Sequence, residues 1–203
     1  MAYFAASRNT LFEKATMDKI IVEEFFSAGI SAADDAQCGE IGRLIYTPEV
    51  MAPFLPFPKS APTPRIDWPK EKSARLFVVR HEGRIVAVSG MEARRIQTPQ
   101  GLLDVLALGG VKTHPGFRFR GFGAAVVRAA FAYVDNGVFR ASLFQTGVPG
   151  FYEKLGCRRV DNTFTNRYGE DPGRRPWWDK AVMVYPAAFA WPEGPVDLLG
   201  PAW

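Results

Sequence analysis

The chain has 203 residues, 47% of them hydrophobic, and a formal charge of +4 from 25 Lys and Arg against 21 Asp and Glu. That length holds one sizeable α/β domain without requiring two, and the apolar share excludes disorder across the bulk of the chain. The cations are scattered, which argues against a nucleic-acid partner; the two cysteines, Cys38 and Cys157, with no CxxC pair and only two histidines, argue against a disulfide framework or a bound metal.

Residues 1–16 read as an N-terminal extension with a weak pattern and no basic-then-apolar leader. No apolar run approaches the roughly 20 residues that span a bilayer. The expectation is therefore a cytoplasmic protein without a membrane partner, with a domain over 17–203. The run Lys-Ile-Ile-Val-Glu-Glu-Phe-Phe over 19–26 reads as a strand. Ser31 offers an N-cap for a helix to about residue 46, with Cys38, Ile41, Leu44 and Ile45 on its apolar side. Prolines at 48, 53, 56, 58, 62, 64 and 69 forbid a regular helix or central strand over 47–72, which reads as a long shaped loop.

A meander follows. Strands are expected at 74–80, 85–96 and 102–113, joined by turns at 81–84 and 98–101, with Gly109-Gly110 marking a bulge near the end of the third. A helix over 123–136 buries Val126, Val127, Ala130, Phe131 and Val134. After it come a short strand at 138–144, a short helix at 149–155 stopped by Gly156, and closing strands at 157–166 and 180–187. The order predicts a mixed α/β domain whose N-terminal sheet is largely antiparallel.

The stretch richest in chemistry joins the third meander strand to the long helix: Val111, Lys112, Thr113, His114, Pro115, Gly116, Phe117, Arg118, Phe119, Arg120, Gly121, Phe122 and Gly123. The first amides of a helix have no internal partners, and the helix dipole favours an anion there. Glycines let phosphate reach those amides, and Arg118 and Arg120 supply charge-assisted donors. A basic turn of this kind, standing alone, is better read as a solvated turn before a helix. It is not a P-loop, since no GxxxxGK[ST] occurs, and the acidic residue of a dinucleotide fold is missing.

What it resembles is the cofactor loop R/Q-x-x-G-x-G/A of the GNAT N-acetyltransferase superfamily, present here from Arg118 to Gly123. Residues 150–156, Gly-Phe-Tyr-Glu-Lys-Leu-Gly, resemble that superfamily's FYEKLGF signature, with Cys157 where phenylalanine is common. The resemblance implies a GNAT-like fold in which the strands at 102–113 and 138–144 splay apart. It implies acetyl-CoA as cosubstrate, bound by Val111, Lys112, Thr113, Arg118, Phe119, Arg120, Gly121, Phe122 and Gly123. Tyr152 would protonate the departing thiolate, a task suited to a phenol of ordinary pKa about 10. Backbone groups of Val111 and Thr113 would hold the pantetheine arm and polarise the thioester carbonyl. A neutral amine would attack directly, so neither cysteine is needed as a nucleophile.

The tail from Trp191 to Trp203, with two tryptophans and two Gly-Pro pairs, reads as ordered. It is similar to tails of aminoglycoside 2′-N-acetyltransferases and nodulation acyltransferases. That resemblance implies that the Trp203 α-carboxylate binds or deprotonates the acceptor; a tail that covers a sheet edge is the equal alternative. Gly109 stands where the aminoglycoside enzymes carry a glutamate base, which leaves Glu92, Asp104 or the Trp203 carboxylate as substitutes. His114 and His81 read as loop and turn residues. The functional expectation is an acetyl-CoA-dependent N-acetyltransferase for a small-molecule amine. A longer-chain acyltransferase and a non-catalytic acyl-CoA sensor are the alternatives, and a homodimer through a sheet edge or the tail is compatible with either.

Overall fold

The structure, a computed structural model, describes residues 9–12, 20–52 and 66–203. The remainder of the expected extension, and the middle of the proline-rich stretch, lie outside the described residues. In chain order the elements are β1 (Asn9–Phe12), β2 (Ile20–Phe26), α1 (Ala32–Ile45), α2 (Pro48–Met51), β3 (Arg75–His81), β4 (Arg84–Thr98) and β5 (Gly101–Thr113). They continue with α3 (Phe122–Asp135), β6 (Ser142–Thr146), α4 (Pro149–Glu153), β7 (Arg158–Arg159), β8 (Phe164–Thr165), β9 (Ala181–Tyr185) and β10 (Val196–Asp197). This is a mixed α/β fold with a mixed sheet. The chain divides into two compact units: Met1–Pro53, Ser73–Glu92 and Leu108–Ala132 form the first, and Phe54–Lys72, Ala93–Ala107 and Tyr133–Trp203 the second. Strands β4 and β5 and helix α3 contribute residues to both.

In the first unit β1, β2, β3 and β4 pair antiparallel in sequence order. Residues 9–12, read from sequence as part of an extension, pair with β2 from Asn9↔Glu23 to Phe12↔Ile20. Helix α1 starts where Ser31 predicts: its hydroxyl accepts the Asp34 N–H at 3.1 Å, and Asp34 and Asp35 occupy the first turn, where the dipole favours them. Its apolar side buries Cys38 and Ile41 against Val78, Ile85 and Val88. Each such fully buried aliphatic side chain contributes about 1.5–3 kcal/mol. Leu44, placed on that side by the sequence, is 47% exposed. The proline-rich stretch carries a short helix after all, because Pro48 occupies the first helical turn, where its missing N–H has no partner to lose.

In the second unit β5 pairs with β6 in parallel, β6 with β9 and β9 with β7 antiparallel. The expected strand at 138–144 begins only at Ser142. Val138 and Phe139 instead donate their N–H groups to the Tyr133 carbonyl at 2.9 and 3.2 Å, closing the end of α3 around Gly137 (φ +76°). The region 157–166 likewise forms two strands of two residues each. The tail is ordered: β10 pairs parallel with β8 and antiparallel with β4 at Gln97. Asn162 ties it down, accepting from the Trp191 indole at 2.7 Å and donating to the carbonyls of Pro192 and Gly194. Trp177, Trp191, Val196 and Leu198 join Leu143, Val182 and Val184 in the core of this unit.

Inside β5, Gly110 has φ +60°, a departure from extended backbone at the place where the sequence predicts a bulge. A Cβ added at Gly109 or Gly110 would meet nothing within 4 Å, so only backbone conformation distinguishes them. Gly110→Ala is therefore expected to cost about 1–2 kcal/mol in thermal or chemical unfolding, and Gly109→Ala less than about half of that. Equal costs would show that the left-handed conformation at 110 is not what the position requires.

Candidate functional site

The first unit carries the candidate anion loop. Strand β5 runs to Thr113, and the His114 N–H donates to the Val86 carbonyl at 2.8 Å, keeping the strand end on β4. His114 Nδ1 then accepts the Gly116 N–H at 3.1 Å and turns the chain. Gly121 has φ +86° and its carbonyl accepts the Ala125 N–H at 3.0 Å, so it occupies the N-cap position of α3. The two helix starts contrast. α1 is closed by its own serine and two acids, whereas α3 begins after a residue with no side chain and has no acid in its first turn.

Arg118, Phe119, Arg120 and Gly121 are all exposed, and Phe122 and Gly123 are half-buried. Phe119 stands in full solvent at φ +64°, and the Arg120 guanidinium lies 5.2 Å from the Phe117 ring. A helix start with a glycine N-cap, two flanking guanidiniums and no acid in its first turn fits a pyrophosphate. Of the other predicted residues, Val111, Lys112 and Thr113 are half-buried on β5, and Lys112 directs its ammonium to the Cys38 carbonyl of α1 at 3.4 Å. Both histidines pack on Phe117, His81 at 5.2 Å and His114 at 5.4 Å between ring centroids.

The second unit carries Tyr152 and Trp203. Tyr152, on α4, is 5% exposed and packs against Phe144 of β6 at 4.6 Å and Phe151 at 4.8 Å. β5 and β6 pair at only two positions, Leu106↔Ser142 and Ala107↔Leu143. The Ala141 carbonyl accepts the Leu106 N–H at 3.0 Å, so the Leu143 carbonyl, two residues on, faces the same side. It receives the indole N–H of Trp203 at 2.7 Å. Trp203 thus occupies the hydrogen-bonding position that a longer parallel ladder would have filled. Its ring packs edgewise on Trp177 at 5.0 Å, the Arg94 guanidinium lies 5.3 Å from it, and its main-chain oxygen accepts from Gln145 Nε2 at 3.0 Å.

The substitute bases fare differently. Asp104 is locked by Arg95 at 2.6 and 3.1 Å and by Lys72 at 3.1 Å, and the Arg95 hydrogen bond holds its carboxyl below the ordinary range. A carboxylate so engaged is a structural ion pair rather than a proton acceptor. Glu92 is exposed on β4. Both cysteines are buried; desolvation raises the Cys38 thiol and pushes Cys157 up to about 12, as expected of packing residues rather than nucleophiles.

One carboxylate that the sequence did not single out is Asp179. Burial raises its pKa above the ordinary carboxylate value, offset in part by Arg175. It sits beside Gly147, just after β6: a Cβ on that glycine would lie 3.4 Å from Asp179 Oδ1. No local pattern announces it, because its contacts with Gln145 and Gly147 join residues more than 30 positions apart.

A family model described as an acetyltransferase (GNAT) domain matches residues 57–160, a span holding both the Arg118–Gly123 loop and Tyr152. A search among curated proteins finds no match. Among solved structures, the chain is similar to the GNAT family N-acetyltransferase YhbS of Escherichia coli, solved in complex with CoA, with TM-score 0.54 and 12% identity over 98% of this chain and 93% of that one. It is also similar to Escherichia coli ElaA, with TM-score 0.50 and 13% identity over 81% and 98% of the two chains. A GCN5-related N-acetyltransferase from Kribbella flavida aligns with 68% of the chain at 11% identity and TM-score 0.47; the chain spans 34% of that longer protein. No described helix is long and apolar enough to cross a membrane.

Proposed function

The chain belongs to the GNAT acetyltransferase family, and from that premise we propose that it transfers the acetyl group of acetyl-CoA to the nitrogen of a small-molecule amine. The observation that carries the reading is the start of α3: an N-cap glycine at φ +86°, no acid in the first turn, and exposed Arg118 and Arg120. Those groups suit the pyrophosphate of CoA. In this reading the first-turn amides from Phe122 and Gly123 and the backbone around Phe119 and Gly121 take the phosphates. Val111, Lys112 and Thr113 line the pantetheine arm with main-chain groups, an assignment consistent with the Lys112 ammonium being turned to α1.

Acetyl-CoA supplies an activated thioester; the chain supplies position and one proton. The amine nitrogen forms a bond to the acetyl carbon, the carbon–sulfur bond breaks, and the Tyr152 phenol gives its proton to the departing thiolate. The nitrogen, neutral when it attacks, then gives a proton to solvent, and solvent returns one to the Tyr152 phenolate, so the products are an amide and the free CoA thiol. Trp203 belongs to the acceptor side: its indole and main-chain oxygen are fixed on β6 by Leu143 and Gln145.

The test is release of free CoA thiol from acetyl-CoA across aliphatic, aromatic and polyamine acceptors and aminoglycosides. Turnover on at least one amine is expected, lowered about 10-fold or more by Trp203→Ala if Trp203 orders the acceptor side. CoA binding without turnover on any amine would instead support a longer-chain or sensor function.

A further inference from the structure

We propose that Asp179 is the carboxylate that anchors the acceptor as it arrives in its ammonium form, for a primary amine carrying an apolar or ring-shaped body; one proton passes to solvent before the neutral nitrogen attacks. The inference rests on the reading above and names the acceptor's chemistry.

Three distant stretches meet at one amide. Gln145, on β6, accepts the backbone N–H groups of Trp178 at 2.9 Å and Asp179 at 2.8 Å with Oε1, and donates from Nε2 to the Trp203 main-chain oxygen at 3.0 Å. On the other side the Arg175 guanidinium donates to the carbonyls of Trp177 at 2.8 Å and Asp179 at 2.7 Å. The backbone at 178–179 is therefore held from both directions by side chains that take none of the carboxylate's own hydrogen-bonding capacity. A rigid backbone that presents a side chain without consuming it is the arrangement a binding group requires.

The carboxylate itself is unusual within its unit. Asp104 and Asp197 are the other half-buried side-chain carboxylates there among the described residues, and each is engaged, Asp104 by Arg95 and Lys72 and Asp197 by Arg167. Asp179 is half-buried with no hydrogen bond or ion pair to its carboxylate among the described residues, and Arg175 acts on it only at longer range. Partial burial without a partner is costly for a carboxylate, and a bound ammonium would offset that cost.

Its position matches the chemistry. The carboxylate lies against Gly147, in the junction between β6 and α4, and α4 carries Tyr152, whose ring packs on Phe144 of the same strand. The proposed proton donor and the proposed ammonium anchor are thus both set from the C-terminal half of β6. Val148, 61% exposed, and Trp178, 42% exposed, place apolar surface at the residues next to Gly147 and Asp179. That combination suits a cation with an apolar body.

The test compares phenethylamine with its neutral counterpart 2-phenylethanol, each titrated calorimetrically into the full chain with and without saturating CoA. The wild type is expected to favour the amine by about 10-fold or more, since only the amine offers a charge-assisted bond. Asp179→Asn is expected to lose that preference while binding CoA with unchanged affinity and melting no lower than the wild type. Asp179→Ala gives the same readout should the asparagine pair with Arg175. An amine preference that survives both substitutions, or no preference in the wild type, would overturn the inference. Loss of CoA binding by the wild type would overturn the acetyltransferase reading, and the titrations without CoA would still decide the role of Asp179.

Discussion

Tyr152→Phe is expected to lower kcat by about 100-fold or more, with CoA affinity changed less than about 2-fold, if the phenol supplies the proton for the departing thiolate. The substitution removes one hydroxyl and keeps the ring, which is 5% exposed and packed on Phe144 and Phe151. The fold should survive, at a stability cost of no more than about 1.5 kcal/mol for a lost hydrogen bond. A thiol-release assay on the acceptor that turns over, paired with a CoA titration, separates the two effects. Unchanged kcat would remove Tyr152 from the chemistry and leave it a packing residue of α4.

Gly121→Ala is expected to weaken CoA binding by about 10-fold or more, because the phosphate-binding amides depend on how α3 begins. At φ +86° an L side chain is strained by about 1–2 kcal/mol, and its Cβ would approach Ile20 Cδ1 to 3.5 Å. Relief of that strain rotates the backbone that aims the first-turn amides. Charge is untouched, so a loss of affinity would be attributable to amide geometry and not to field. Removing Arg118 or Arg120 tests the complementary contribution; both are exposed, and Arg120 gives up its contact with the Phe117 ring.

The loop was legible because its determinants are local. An apolar strand, a glycine-rich basic turn and an apolar helix follow one another directly between residues 102 and 136, and α3 was placed within a residue of its observed start. Ser31 predicted the α1 cap for the same reason, since a capping hydroxyl and its amide are three residues apart. Where the reading failed, long-range or backbone effects decided. Phe139 and Ala141 are buried like strand residues, but the N–H groups of Val138 and Phe139 close α3 instead of pairing with a neighbour. Asp104 looked like a free carboxylate until Arg95 and Lys72 were seen to hold it.

The acceptor side was the least legible part. Trp203 was singled out by resemblance, for a role placed in its carboxylate; the structure shows its indole capping Leu143 and its main-chain oxygen held by Gln145. Asp179 and Gln145 belong to no motif. A glutamine on a strand and an aspartate after two tryptophans carry no spacing signal, and only tertiary contact joins them. Residue types of this kind acquire meaning from who touches them.

The electrostatics of Asp179 add a consequence for stability. A carboxyl whose folded pKa is raised contributes stability below its unfolded value, near pH 4, that is lost as pH rises through the folded value. At neutral pH the ionised side chain therefore costs the folded state part of its stability. Retaining under that cost a half-buried carboxylate that has no hydrogen-bond or ion-pair partner among the described residues is what a binding role would explain.

The most direct measurement is an equilibrium titration of the wild-type chain with CoA, run beside Gly121→Ala. The account predicts saturable one-to-one binding by the wild type, weakened in the variant. A wild-type chain that does not bind CoA, or a variant that binds it equally well, would contradict the claim that the start of α3 is an acyl-CoA phosphate site.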